Sequence, residues 1–167
     1  MTNEKSSTQE KNRVFVASFL RLANEDYKAA LLLSNTGNNN AAYHAQQAVE
    51  KIALCLLTAE NIYQNPREAS HQIDVFVRKL PDDNSFKSRL QPLVFLQAFA
   101  STFRYPKSTS GRMSRIEKTH DPKVKAAIQE ISSLIDDLAD HFQVNLAFES
   151  DAPAGNDDAP RNPRLTL

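Results

Sequence analysis

The chain has 167 residues, 41% of them hydrophobic, and its 20 Lys/Arg balance its 20 Asp/Glu. That length suits one domain with a sizeable core, and the absence of net charge leaves no overall field to gather nucleic acid. A single cysteine, Cys55, excludes a disulfide framework and fits a reducing cytoplasm, and no apolar run approaches the roughly 18 residues of a membrane span.

Residues 1–12 are polar and lack the hydrophobic region of a signal peptide, so a flexible N-terminus is expected. From 13 to 34 a helix is predicted, with Val14, Phe15, Phe19, Leu22, Tyr27, Ala30 and Leu31 as its apolar positions. Gly37 and the three asparagines after it break that helix, and Asn40 is placed to cap the next. The second helix should cover 41–59. In it Ala41, Ala45, Ala48, Ile52, Cys55 and Ala59 form a narrow seam of mostly small side chains that lets another helix come close.

Pro66 marks the loop that follows. A shorter helix is predicted for 70–80, and Pro81-Asp82-Asp83-Asn84 reads as a turn. The next helix, 85–103, contains Pro92, which should bend or divide it, and Pro106 ends it. A polar loop extends to His120. Asp121-Pro122 then opens a last helix with Val124, Ala127, Ile128, Ile131, Leu134, Ile135, Leu138 and Phe142 on one stripe. Three of the eight prolines fall after residue 150, and 143–167 is expected to be a disordered C-terminal tail. With only three glycines, strands in series are disfavoured. The expected fold is all-α, an antiparallel bundle of about five helices over 13–142.

Charge is unevenly spread. Arg104, Lys107, Arg112, Arg115 and Lys118 face only Glu117 between 104 and 120. This stretch reads either as an anion-binding loop or as a solvated surface. The second helix poses its own question. Tyr43, His44, Gln46, Gln47, Glu50 and Lys51 crowd its first half, while its second half is apolar nearly all round. The polar half is either exposed or lies at a cleft or subunit interface.

The segment YHAQQAVEKIALCLL (Tyr43–Leu57) resembles the signature helix of the HEPN domain family, in which Ala45, Gln47, Ala48, Glu50 and Lys51 occupy the motif positions. NEDYKAALLL (Asn24–Leu33) is similar to the family's first helix, SHQIDVFVRKL (Ser70–Leu80) to its histidine-led third helix, and Phe103-Arg104-Tyr105-Pro106 to the Arg-Tyr-Pro that closes the fourth helix in one branch. The resemblance spans roughly 13–142. This chain departs from the pattern where a base expected after Glu-Lys is replaced by Leu54 or Cys55, and its loop after Pro106 is long.

The resemblance implies a helical, usually dimeric domain that binds nucleotide or RNA and acts with a partner such as a small nucleotidyltransferase. Gln47 and Glu50 would mark the signature helix or an interface. Lys51, Arg104, Tyr105 and Lys107 are the candidate ligand-binding residues: an arginine fork for phosphate, a ring for stacking and two further cations. The null role of Arg104 is to compensate the negative end of its helix.

RNA-cleaving members use an Arg-x(4–6)-His motif, in which arginine stabilises phosphorane-like charge and histidine moves protons. Here Arg115 and His120 have that spacing and would be the catalytic pair of a metal-independent, toxin-type endoribonuclease. Ten arginines and four histidines make one such pair an ordinary accident. A non-catalytic interaction module is the third reading. No phosphate-loop, dinucleotide or zinc motif is present, so neither cofactor nor metal is expected.

Overall fold

The computed structural model describes residues 2–62, 72–102, 108–109, 112–113 and 122–147. Two long helices, α1 (Thr2–Asn35) and α2 (Asn40–Ala59), form an antiparallel hairpin. Contacts step outward from the turn along both helices. Lys51 reaches Asp26, the Cys55 thiol points at the Val16 carbonyl, and Asn12 donates to Asn61. Ala41, Ala45, Ala48, Ile52 and Cys55 are all buried, so the small-residue seam allows close packing. Gly37 sits at φ 69°, the left-handed end of α1, where a Cβ would clash. The Asn38 side-chain oxygen accepts the Asn40 N–H at 2.9 Å. Asn38 therefore performs the capping expected of Asn40, because α2 already begins at Asn40.

Two features of α1 differ from expectation. Its backbone is helical from Thr2, back through the segment expected to be a flexible N-terminus. That segment shows no apolar stripe, yet Glu, Lys and Gln are good helix formers and extension of an existing helix costs little. The buried side is only partly the expected one: Ala30 is buried and Phe19 and Tyr27 pack against the core, but Val16, Leu20 and Ala23 enter it as well, whereas Val14, Phe15, Leu22 and Leu31 are exposed. Apolar residues line both sides of α1, so periodicity alone could select either stripe.

The third helix, α3, spans Ile73–Lys79. The predicted 85–103 helix is three pieces: α4 (Lys87–Leu90), a 3₁₀ segment η1 (Gln91–Ala98) and α5 (Phe99–Thr102). Pro92 lies in the first turn of η1. Its missing N–H and its ring oppose the normal α pattern, and the chain tightens instead. Arg89 clasps this run to α6 (Pro122–Phe142) through Glu130 at 2.7 Å, Ser133 at 3.0 Å and Asp137. Burial opposes the guanidinium's charge, but the bonds to Asp137 and Glu130 outweigh it and raise the Arg89 pKa.

All seven core positions predicted on α6 from Val124 to Leu138 are buried, as a single broad stripe requires. The chain keeps packing past residue 142. Val144 and Leu146 lie against the core, and Arg21 Nε donates to the Asn145 carbonyl at 2.9 Å. Residues 148–167, the rest of the expected tail, lie outside the described residues. Within the predicted polar loop, Ser108–Thr109 and Arg112–Met113 pair as a two-residue antiparallel ladder. Otherwise the described residues form the expected all-α bundle, and none of their helices is long and apolar enough to cross a membrane.

Candidate functional site

Asp26 on α1 faces the polar half of α2 across the hairpin. Its Oδ2 accepts from Lys51 Nζ at 2.6 Å, and its Oδ1 lies 3.0 Å from His44 Nδ1. An ionised carboxylate can only accept, so Nδ1 carries the proton and donates it, and Nε2 is the ring position left for other chemistry. Lys51 also donates to Gln47 Oε1 at 3.4 Å, Gln47 Nε2 to Gln46 Oε1 at 2.7 Å, and Gln46 Nε2 to Glu50 Oε2 at 2.8 Å. A continuous polar chain thus runs from His44 through Asp26, Lys51, Gln47 and Gln46 to Glu50. The Tyr43 ring meets His44 edge-on, with centroids 5.3 Å apart.

This arrangement answers the question posed by the polar half of α2. Gln46 and Glu50 are 0% and 7% exposed, and both are bonded within the chain. They are neither a solvated face nor groups that need a second subunit to satisfy them. Burial without partners would cost several kcal/mol. Its two cross-helix contacts, Asp26 with Lys51 and with His44, instead fix the register of α1 against α2, because sliding either helix would strand a half-buried carboxylate and ammonium. At its outer edge it presents a partly exposed ammonium, an oriented imidazole and a phenol ring side by side. These groups can bind an oxyanion and hold or move a proton at Nε2.

The family model described as the HEPN domain matches residues 16–141. The chain belongs to the HEPN domain family. No curated protein and no solved structure matches it. In this HEPN domain Leu54 and Cys55 stand where the resemblance implies a base. Both positions are buried, and a cation there would have no counter-charge from the apolar wall.

Of the sequence-predicted site residues, Gln47, Glu50 and Lys51 come together in the network. Arg104, Tyr105, Lys107, Arg115 and His120 lie outside the described residues. Sequence reading did not assign Asp26, His44 or Gln46 to the site. Asp26 stood in the stretch that resembles the family's first helix, but nothing local to it indicated which α2 turn it faces.

Described residues on either side of the basic stretch lie close together. Lys123 Nζ stands 4.1 Å from the Phe95 ring centroid, and Phe95 packs against Phe99. α5 packs on α2, and α6 ends beside Ala59 at the far end of α2. A 21-residue helix is about 30 Å long.

Proposed function

We propose that this HEPN domain is a cytoplasmic nucleotide- or RNA-binding homodimer that acts with a partner protein such as a small nucleotidyltransferase. The observation that carries the reading is the partly buried Asp26–Lys51–Gln47–Gln46–Glu50 network, which holds Lys51 and His44 at the edge of the bundle. The basic stretch 104–118 is assigned the further cations, with Arg104, Tyr105 and Lys107 as phosphate fork, stacking ring and second charge. Arg104→Ala is expected to weaken nucleotide or RNA binding about tenfold, as a lost charge-assisted pair implies. His120→Ala should change it little. Equal binding by the Arg104 variant and the parent chain in a titration would overturn this assignment.

The homodimer is supported by the outer face of α1. Val14, Phe15, Leu22 and Leu32 are 58%, 48%, 44% and 66% exposed. Val14 and Leu32 are eighteen residues apart, about five turns, so the face runs nearly straight along the helix. Leu22→Asp is expected to convert a dimer to a monomer in light scattering at tens of micromolar. A parent chain that scatters as a monomer would sink the idea.

One observation favours a second reading, a metal-independent endoribonuclease. His44 is held at Nδ1 by Asp26, the arrangement that leaves Nε2 to exchange a proton with an RNA 2′-hydroxyl. Arg115 and His120 would then supply the remaining charge and proton steps. RNA cleavage abolished by His120→Ala or His44→Ala, but spared by Arg104→Ala, would select this reading over the first.

A further inference from the structure

A cleft of about 480 Å³ opens where α2 and α6 both stop, at the opposite end of the hairpin from the Asp26 network. Arg13 and Arg21 of α1 and His141 of α6 stand in its wall, and none of the described lining residues is a carboxylate. Arg21 Nε donates to the Asn145 carbonyl, which fixes the guanidinium and leaves its two terminal amines uncommitted among the described residues. Arg13 makes no ion pair or hydrogen bond among them. The two arginines are eight residues apart, about 12 Å along the axis, so their side chains can converge on one ligand from two sides. Behind them the floor is apolar, from Val16, Phe142 and Val144.

Two helix C-termini would normally make this a poor place for an anion. Here several of their last carbonyls are already bonded, those of Leu56, Leu57 and Thr58 on α2 and of Ala139 and Asp140 on α6. Asn61 and Gln143, at φ 59° and 54°, are the non-glycine left-handed residues among those described. Through them Ile62 N–H reaches the Leu57 carbonyl at 2.9 Å, and Val144 N–H reaches the Ala139 carbonyl at 2.9 Å. Both residues line the cleft. Left-handed asparagine and glutamine cost conformational energy that glycine would avoid. The Asn61 amide oxygen accepts from Asn12 Nδ2 at 2.6 Å, which ties two lining residues together.

We infer that this cleft is a second ligand site, distinct from the Lys51 edge, and that it takes a phosphomonoester carried on a compact apolar or aromatic body. Two permanent cations facing no acid match the charge of about −1.5 to −2 on such a group at neutral pH. The guanidinium fork fits its oxygens, and the apolar floor takes the body. The volume lies in the range of small-molecule sites.

Calorimetric titration of the full chain with phenyl phosphate tests this. Saturable binding is expected, tighter than for inorganic phosphate or phenol alone. Arg13→Gln and Arg21→Gln should each weaken it about tenfold, and Ala17→Phe, which fills the cleft, should abolish it with helix content retained. Arg13 is exposed and makes no bond to another described residue, so its variant reports binding even if the Arg21 variant is less stable. Arg78→Gln, on α3 and outside the cleft lining, should leave the titration unchanged. The proposal fails if no saturable binding occurs, if inorganic phosphate binds as tightly as phenyl phosphate, if Arg13→Gln binds like the parent, or if Arg78→Gln is the variant that loses binding. Its outcome is independent of the nucleotide reading, which is tested at Arg104.

Discussion

Asp26→Ala is expected to destabilise the domain by about 2–3 kcal/mol, more than a surface ion pair could account for. The side chains of Asp26, Lys51 and His44 are 18%, 22% and 30% exposed, so the pair is screened from water but not sealed. Removing one partner of a fully buried pair costs about 3–5 kcal/mol, because the other charge is left uncompensated, and residual solvent reduces that figure here. Without Asp26, Lys51 keeps only the 3.4 Å bond to Gln47 among the described residues, and His44 loses the bond that orients its ring. Lys51→Met removes the stranded charge while keeping most of the side-chain volume. The double variant should therefore be less destabilised than the sum of the singles, by about 1–2 kcal/mol. Urea denaturation of the four chains measures this. Additivity within about 0.5 kcal/mol would show that the contact carries no coupling and that the register of the hairpin is set by the apolar seam alone.

The helices were legible in the sequence where one face of a helix is apolar and the other is not. α6 has a single stripe, and every residue assigned to its core from Val124 to Leu138 is buried. α2 was legible through its alanine seam. The buried side of α1 was legible only in part, because Val14, Phe15 and Leu22 repeat at helical spacing as well as Val16, Leu20 and Ala23 do. Which stripe enters the core is decided by α2 and α6 packing against it, a fact no window of α1 contains.

The site shows the same division. Gln47, Glu50 and Lys51 were found because they share one helix and one motif. Asp26 is 25 residues from Lys51 and becomes its neighbour only when the hairpin closes. Counting equal steps outward from the turn after Asn35 would have placed Asp26 opposite the last polar turns of α2, but that requires the antiparallel packing first. Periodicity left Gln46 open between an exposed face and a cleft or subunit interface, although glutamine is mostly exposed. Its burial is tolerated because Glu50, one turn on, accepts its amide.

The second large effect is expected at alkaline pH. Cys55 is wholly buried against α1, with its thiol 3.6 Å from the Val16 carbonyl. Burial pushes the thiol pKa up from 9.0 to about 12, because a thiolate there would have no solvent and no cation. The direction of the linkage follows from proton counts. Between pH 9 and 12 the unfolded chain has released this proton and the folded chain retains it, so stability falls as pH rises through that interval. It is unaffected by this group below the unfolded value. Three pH units at about 1.4 kcal/mol each amount to roughly 4 kcal/mol by pH 12, an upper bound because local opening lets water reach the sulfur earlier. Cys55→Ala removes the titrating group and leaves a small void that costs about 1 kcal/mol or less at every pH. The parent chain should therefore be the more stable of the two at pH 7 and the less stable above about pH 10. Tyrosines and lysines titrate in the same range, but they are common to both chains and cancel in the difference. Denaturation curves for the pair at pH 7, 9 and 10.5 test the crossing. Parallel stability profiles with no convergence would mean that Cys55 ionises in the folded chain as readily as in the unfolded one, and that the packing of α1 on α2 around Val16 is looser than a dry seam allows.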